Sequence, residues 1–514
     1  MHKMRWRLWL ACVGFFGSWA LVARADVAPH ALFSDNMVLQ QGADVPVWGT
    51  ADDEEEVTVT FQGQAVSANA AGGKWKVSLK PLSPGEPAEM TIRGKNTVTL
   101  KNVLVGEVWV CSGQSNMAMT LNGCHDAETV IARSANPKIR LFTVPRKGAD
   151  EPQSEVDGSW SECGPDTVAG FSGVGYFFGK HLQEKLDVPV GLINSSFGGT
   201  PAESWTSRPK MAAKPELQPI LDGYAEALKR HPEAFKRYED ALAQWKKEAA
   251  DARKEGKTLS RRAPRPPTGP DDPKRPGGLY YAMICPLQPF AVRGATWYQG
   301  EGNAGRAYQY RTLLPTMIEC WREDWGQGDF PFLVVQLAPY RKIVDEPVES
   351  TWAELREAQL MTMQDVPNTA TAVITDVGEE DDIHPKKKQP VGDRLAIAAR
   401  ALAYGEEIEY SGPIYKCMEV REGKAVLSFD HLGGGLVAKG GELTGFTICG
   451  EDRKFVNARA TIAGDTVVVS SPDVPQPVAV RFGWADFPVV NLWNKADLPA
   501  SPFRTDDFPG VTGP

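Results

Sequence analysis

Five short apolar runs constrain the fold of this chain more than any other feature. They occupy residues 105–111, 188–194, 291–297, 332–337 and 371–375. Apolar and β-branched runs of this length read as strands buried on both faces. The segments between them carry helical spacing, most clearly 172–186, where Ser172 can cap and Val174, Phe178, Leu182 and Leu186 fall four apart. Further helices fit at 308–322, 353–364 and 390–404. Strands alternating with helices require a mostly parallel sheet, hence an α/β core. Parallel strands bring their carboxyl ends to one edge, and open α/β sheets bind ligands there.

The flanking segments follow a different pattern. In residues 26–104 short alternating runs recur at 45–48, 57–61, 75–79, 90–92 and 98–100, separated by Gly, Pro, Asn and Asp. This spacing predicts an N-terminal β-sandwich-like domain. Residues 411–514 return to β character at 425–429, 446–448 and 466–469 and predict a C-terminal β-domain. The core is thus split into 105–205 and 279–410 by an interruption at 206–278. There Phe235, Tyr238, Leu242, Trp245 and Ala249 keep a heptad-like spacing, followed by a basic, proline-rich stretch from Arg261 to Gly278. A helical insertion returning on an extended linker satisfies both halves.

Several partners and compartments follow from composition. The formal charge is -9 and no basic tract is long enough to track phosphates, so nucleic acid is not an expected partner. Residues 1–25 have the build of a secretory signal. Lys3, Arg5 and Arg7 precede an apolar stretch, and Ala23, Arg24 and Ala25 form an A-x-A cleavage site. The stretch is short for a membrane span. The expected product is secreted or periplasmic, with no stable membrane insertion after cleavage; an uncleaved anchor is the rival. Of 8 cysteines, Cys12 falls in that segment, and the rest contain no C-x-x-C pair, so no structural zinc is expected. An oxidising compartment permits disulfides. The remaining number is odd, so at least one thiol stays unpaired, and Cys111 on the first strand is a buried candidate. Nothing in the pattern specifies an oligomeric state.

Four strand ends carry the residues with chemistry. Ser112, Gly113, Gln114, Ser115 and Asn116 follow the first strand, and residues 197–205, with Gly198 and Gly199, follow the second. Trp297, Tyr298, Gln299, Gly300, Glu301, Gly302 and Asn303 follow the third; Asp381, Asp382, Ile383, His384 and Pro385 follow the fifth. Together they make the inventory for acyl transfer: nucleophile, base with orienter, and oxyanion donors. Ser115 is a weak nucleophile until His384 takes its proton, and a carboxylate from Asp381 or Asp382 must hold the imidazole. Expected oxyanion donors are the Ser115 amide, the amide of Gly198 or Gly199, and the Asn303 side chain. Gln114, Gln299 and Glu301 fit beside the site, in support or on substrate. Trp205, Trp297 and Tyr298 flank it and could offer ring faces to a sugar. Competing readings are a polar turn capping a helix, His125 as base, and Glu301 with Asp381 or Asp382 as a glycosidase carboxylate pair. The last leaves Ser115 and the diglycine without a role. No cofactor and no metal are expected.

The set resembles the SGNH-hydrolase superfamily and, more closely, the sialate O-acetylesterase family of carbohydrate acetylesterases. The residues behind this are Gly106, Glu107, Val108 and Trp109; Gly113 to Met117; Gly198, Gly199, Thr200 and Pro201; Trp297 to Glu301 with Asn303; and Asp382 to Pro385. Each motif is short; five in order at strand ends are specific together. The resemblance covers nearly the whole mature chain. It implies a flavodoxin-like three-layer α/β/α catalytic domain and metal-free hydrolysis of acetyl esters on sugars. The expected partner is an O-acetylated carbohydrate, sialic acid first and a plant polysaccharide such as xylan second; a non-catalytic glycan-binding protein is the rival of another class. Gly302 stands where the family often has serine. The superfamily's D-x-x-H spacing selects Asp381, whereas the family's Asp-Ile-His-Pro pattern selects Asp382; the superfamily spacing favours Asp381. Arg306 is a candidate contact for a sialic acid carboxylate.

Overall fold

The computed structural model describes residues 26–513. The expected signal sequence lies outside the described residues. Strand β1, Thr97–Gly113, is the axis of the molecule. Its first part alternates, with Leu100 buried and Thr97, Thr99 and Lys101 exposed, and pairs antiparallel with Ala88–Arg93 of the N-terminal β-region. From Val103 onward every residue is buried, because the strand now has neighbours at both edges and layers on both faces. The strand therefore runs unbroken across residue 104, and Val57, Val59 and Trp75 share one hydrophobic cluster with Val108 and Val110.

The central sheet adds β2 (Asn136–Thr143), β3 (Ser161–Cys163), β4 (Val190–Ser196), β5 (Gly294–Tyr298), β6 (Phe332–Val335) and β7 (Thr369–Ala372), in the order β3-β2-β4-β1-β5-β6-β7. Neighbours are parallel except β3, which is antiparallel to β2. With the N-terminal strands that continue it, the sheet as a whole is of mixed orientation. The five expected strands are all present, with β1 flanked by β4 on one side and β5 on the other. The chain places β2, β3 and β4 on one side of β1 and β5, β6 and β7 on the other, so the loops beyond β1, β4 and β5 meet at the point where the strand order reverses. Strand β2 was not anticipated: it is buried only from Ile139 to Phe142, with a polar start, so no clean run marks it in the sequence. Arg140 within it is buried, its guanidinium donating to carbonyls of Pro137, Asn36 and Asn102.

Helices cover both faces. α1 is Ser115–Ala118, α2 Gly173–Leu186, α3 Gln218–Lys254, α4 Ala307–Trp325, α5 Thr351–Asp365 and α6 Gln389–Leu402. Alternation along the strands decides which side chains meet which layer. Trp109, Cys111, Leu192 and Val335 point to α2 and α6; Val110, Ile193, Trp297 and Val334 point to α4 and α5. Ser172 caps α2 as expected, its Oγ accepting from the Gly175 amide at 3.0 Å. The insertion's helix is longer than its sequence spacing indicated: α3 runs 37 residues and buries only Ile220 among them. Residues beyond 411 form further small sheets with their own core around Leu427, Val467 and Phe482. Arg356 of α5 clips that region to the sheet through the carbonyls of Leu337, Ala338, Ala485 and Asp486. All seven cysteines among the described residues are unpaired, and burial pushes the Cys111 thiol up to about 12. Among those residues no helix is long and apolar enough to cross a membrane.

Candidate active site

The site is built from the end of β1 outward. Gly113 has φ +135°, and a Cβ there would lie 2.2 Å from the Tyr298 carbonyl oxygen of β5. Only glycine lets the two strands meet at that point. The same carbonyl accepts from the Gln114 amide at 3.0 Å, and the Gly113 carbonyl accepts from the Phe197 amide at 3.0 Å. Pinned from both neighbours, the chain turns at Gln114 and enters α1 with Ser115. Its neighbours Gln114 and Asn116 are buried, while Ser115 itself is half-buried.

The loop beyond β7 closes over this turn. His384 Nε2 lies 2.8 Å from Ser115 Oγ. Asp382 Oδ1 accepts from the His384 backbone amide at 2.9 Å and sits 3.6 Å from Nδ1 of the imidazole. The carboxylate thus closes a side-chain-to-backbone turn first and approaches the ring second. Asp381 turns away, to the Lys342 ammonium at 2.8 Å, and is 84% exposed. The D-x-x-H preference for Asp381 is corrected accordingly: adjacent side chains on an extended segment point opposite ways, and the one facing His384 is Asp382. Because the Asp382 contact is longer than a hydrogen bond, its loss should be modest. Asp382→Asn is expected to lower kcat/KM on an aryl acetate about tenfold, and Asp381→Asn to leave it near wild type. Equal, near-wild-type values for both would mean that something else orients His384.

The diglycine after β4 lies against Ser115. A Cβ on Gly198 would be 3.3 Å from that of Ser115, and Gly199 has φ +71°. Asn303 is buried, and its Oδ1 accepts from the Ala202 amide at 2.9 Å and from Gln299 Nε2 at 2.7 Å. Its Nδ2 donates to Glu203 at 2.9 Å, which leaves one N–H beyond that bond. Gln299 is buried and supports this loop, accepting from Tyr310 Oη and donating to the Thr200 carbonyl. Gln114 accepts the Gly302 amide at 3.2 Å. Both glutamines therefore brace the loops.

The expectation for the three aromatic residues is corrected. Trp205 and Trp297 are each 0% exposed, stacked edge to face at 5.8 Å, with Trp321 continuing the stack. Tyr298 is equally buried. None can offer a face to a sugar; they fill the layer under the loops. Arg306 is held by Glu203 at 2.5 Å. His125 pairs with Asp126 on the surface at 2.9 Å and is not beside Ser115. A cleft of about 900 Å³ lies elsewhere, walled by Trp48, Trp75, Tyr281 and Asp324 of the N-terminal β-region and the α4 side. It shares no residue with the Ser115 loops.

The sequence profile of the sialic acid-specific acetylesterases, a carbohydrate esterase family, matches residues 105–255 and 274–401. The chain belongs to this family. It is a carboxylic ester hydrolase. It is 30% identical to the sialate O-acetylesterase of Rattus norvegicus over 92% of this chain and 93% of the relative. Identity to that of Homo sapiens is also 30%, over 93% and 92%. Among solved structures, a carbohydrate acetylesterase from Xanthomonas citri superposes with a TM-score of 0.80 at 36% identity, covering 94% of this esterase and all of that chain.

Two partners of the esterase's loops escaped the sequence reading. Glu203, in the segment after the diglycine, receives both Asn303 and Arg306. Asn116, next to Ser115, donates to Glu301 Oε1 at 2.6 Å and to the Ile383 carbonyl at 2.9 Å. Its place in the Ser115 motif was the available signal. Glu301 thus stands beneath the site with its carboxylate buried. Burial pushes its carboxyl above the ordinary range, while hydrogen bonds from backbone amides and Asn116 oppose that rise.

Proposed function

We propose that this esterase removes O-acetyl groups from a carbohydrate, with O-acetylated sialic acid as first substrate, through a serine acyl-enzyme. The observation that carries the mechanism is the 2.8 Å approach of His384 Nε2 to Ser115 Oγ. Ser115 Oγ attacks the acetyl carbonyl carbon while its proton passes to His384. The carbonyl oxygen becomes an oxyanion facing the Ser115 amide, a Gly198 or Gly199 amide and the remaining Asn303 N–H. Collapse breaks the bond to the sugar oxygen, which leaves with the proton from His384. Water then attacks the acetyl-Ser115 carbonyl, again giving a proton to His384, and acetate is released as Ser115 is re-formed. Asp382 holds the imidazolium by charge at 3.6 Å. No step calls for a metal.

The catalytic unit is assigned to 105–205 and 279–410, of the SGNH three-layer type. Its flanks are the N-terminal and C-terminal β-regions and the helical insertion at 206–278. Secretion or export to a periplasm follows from residues 1–25. The sialic acid preference leans on the relatives' activities and on chemistry. An acetyl group fills little space, so selectivity must reside on the alcohol side. The discriminating experiment compares kcat/KM on O-acetyl sialosides, acetylated xylo-oligosaccharides and long-chain acyl esters. The expected order has the sialosides first. Preference for xylan would reassign the substrate, and preference for long-chain esters would remove carbohydrate chemistry altogether.

A further inference from the structure

Beneath the Ser115–His384 contact lies a second polar cluster that the reaction steps do not use. Its centre is the Asn116 side chain. The carboxamide has one acceptor oxygen and two N–H donors, and all three are engaged. The donors reach Glu301 on the loop beyond β5 and the Ile383 carbonyl, one residue before His384, on the loop beyond β7. The oxygen accepts from Lys388 Nζ at 2.5 Å. Lys388 is 1% exposed and immediately precedes α6, and its ammonium stands 5.2 Å over the Tyr298 ring.

We propose that Lys388 is a positioning residue, whose ammonium fixes the orientation of the Asn116 amide and thereby holds the His384 loop against Ser115. The argument is one of donors and acceptors. An ammonium can only donate, and the Ile383 carbonyl and the Glu301 carboxylate can only accept. Turning the Asn116 amide over would set N–H against N–H at Lys388 and oxygen against oxygen at Glu301 and Ile383. A cation on one side and acceptors on the other leave a single orientation, in which the amide spans two loops. A neutral amine, which can donate or accept, would remove that selection. A buried ammonium is costly, and it is retained here between Asn116, a π face and the nearby Glu301 carboxylate.

The charge state of Lys388 gives the inference its readout. Burial pushes Lys388 down to about 8, opposed by Cys124, Glu301, Asp382 and Glu379, which all favour the ammonium. Of the other groups facing it, Cys124 is pushed up to about 11 and Tyr298 is raised well above its ordinary range, both by burial. The cluster is therefore cationic at Lys388 below about pH 8 and loses that charge as pH rises. Since the amide positions His384 and not the substrate, kcat should fall through that window while KM holds.

This inference rests on the reading of Ser115 and His384 as nucleophile and base. The experiment records kcat and KM on a soluble acetyl ester from about pH 6 to 10, corrected for spontaneous hydrolysis. Wild type should show an alkaline limb in kcat near pH 8. Glu301→Gln removes a neighbour that favours the ammonium, so its limb should move to lower pH. Lys388→Met should lower kcat about ten- to a hundredfold at neutral pH, with KM within about twofold, and abolish the limb. A flat wild-type kcat, a limb that survives Lys388→Met, or a limb unmoved in Glu301→Gln overturns the proposal. Should Lys388→Met fail to fold, the wild-type and Glu301→Gln profiles decide it. Activity retained by Ser115→Ala would sink the nucleophile reading itself; a limb indifferent to these variants, with Ser115→Ala inactive, sinks only the role of Lys388.

Discussion

Ser115→Ala is expected to lower kcat on acetyl esters by roughly three or more powers of ten while leaving the thermal unfolding midpoint unchanged. The two halves of that expectation come from different observations. Catalysis fails because, among the described residues, no other hydroxyl is set against His384 Nε2, which lies 2.8 Å from Ser115 Oγ. Stability holds because the hydroxyl is not part of what fixes the turn. That work is done by backbone, through Gln114 to the Tyr298 carbonyl and Phe197 to the Gly113 carbonyl, and by the neighbouring Asn116 amide. Residual turnover should persist, since the oxyanion donors can still polarise an ester attacked directly by water. Steady-state kinetics beside a melting curve check both halves. A variant retaining a tenth of wild-type kcat would remove Ser115 from the role of nucleophile.

What could be read from the sequence, and what could not, separates along physical lines. The strands and helices were legible because burial on both faces writes continuous apolar runs and one-sided burial writes a 3.6-residue period. β2 was missed because a strand that is buried over half its length writes neither. Ser115 and His384 were legible because their loops begin at strand ends, and parallel strands carry those ends to one edge. Side-chain direction was not legible. Asp381 and Asp382 are adjacent and chemically identical, and only the path of the loop decides that one meets Lys342 and the other His384. The tryptophans failed for a similar reason: an indole beside a catalytic motif serves a packed layer or a sugar equally well on paper, and Trp205 and Trp297 serve the layer. Lys388 closes a run of three lysines that reads as a solvated surface stretch, yet Lys386 and Lys387 are exposed and Lys388 is buried. No local pattern distinguishes the third from the first two.

Glu107→Ala should give the opposite signature, a loss of stability with kcat per folded molecule retained. The sequence singled out Glu107 only as part of a motif; its partners explain why a carboxylate stands there. It lies on β1 among buried residues and is 0% exposed. Its two oxygens accept from Gln40 at 3.1 Å, Gln41 at 2.5 Å, Arg293 at 2.7 and 3.1 Å, and Tyr404 at 3.2 Å. Those donors come from the N-terminal β-region, from the segment entering β5, and from just beyond α6. One side chain thus joins three parts of the molecule within β1, six residues before its Gly113 end. Truncation leaves the Tyr404 hydroxyl and the Arg293 guanidinium without this acceptor and removes one of the two acceptors of the Gln40 amide. Removing one partner of such a buried pair typically costs about 3–5 kcal/mol. Arg293 is 32% exposed and can recover part of its hydration, so a loss of about 3 kcal/mol is the expected value. Glu107→Gln keeps the shape and one acceptor oxygen, and it should lose less. Urea unfolding of the three proteins measures the order wild type, Glu107→Gln, Glu107→Ala, and kcat is compared well below the transition. Because the Ser115 turn is fixed by its own backbone contacts, at Gly113 and Gln114, that kcat should match wild type. A Glu107→Ala protein as stable as wild type would mean that the carboxylate network contributes nothing beyond the cost of burying it. A stable protein with kcat lost would instead place Glu107 in the catalytic machinery, although its hydrogen-bond partners are Gln40, Gln41, Arg293 and Tyr404 and none belongs to the Ser115 loops.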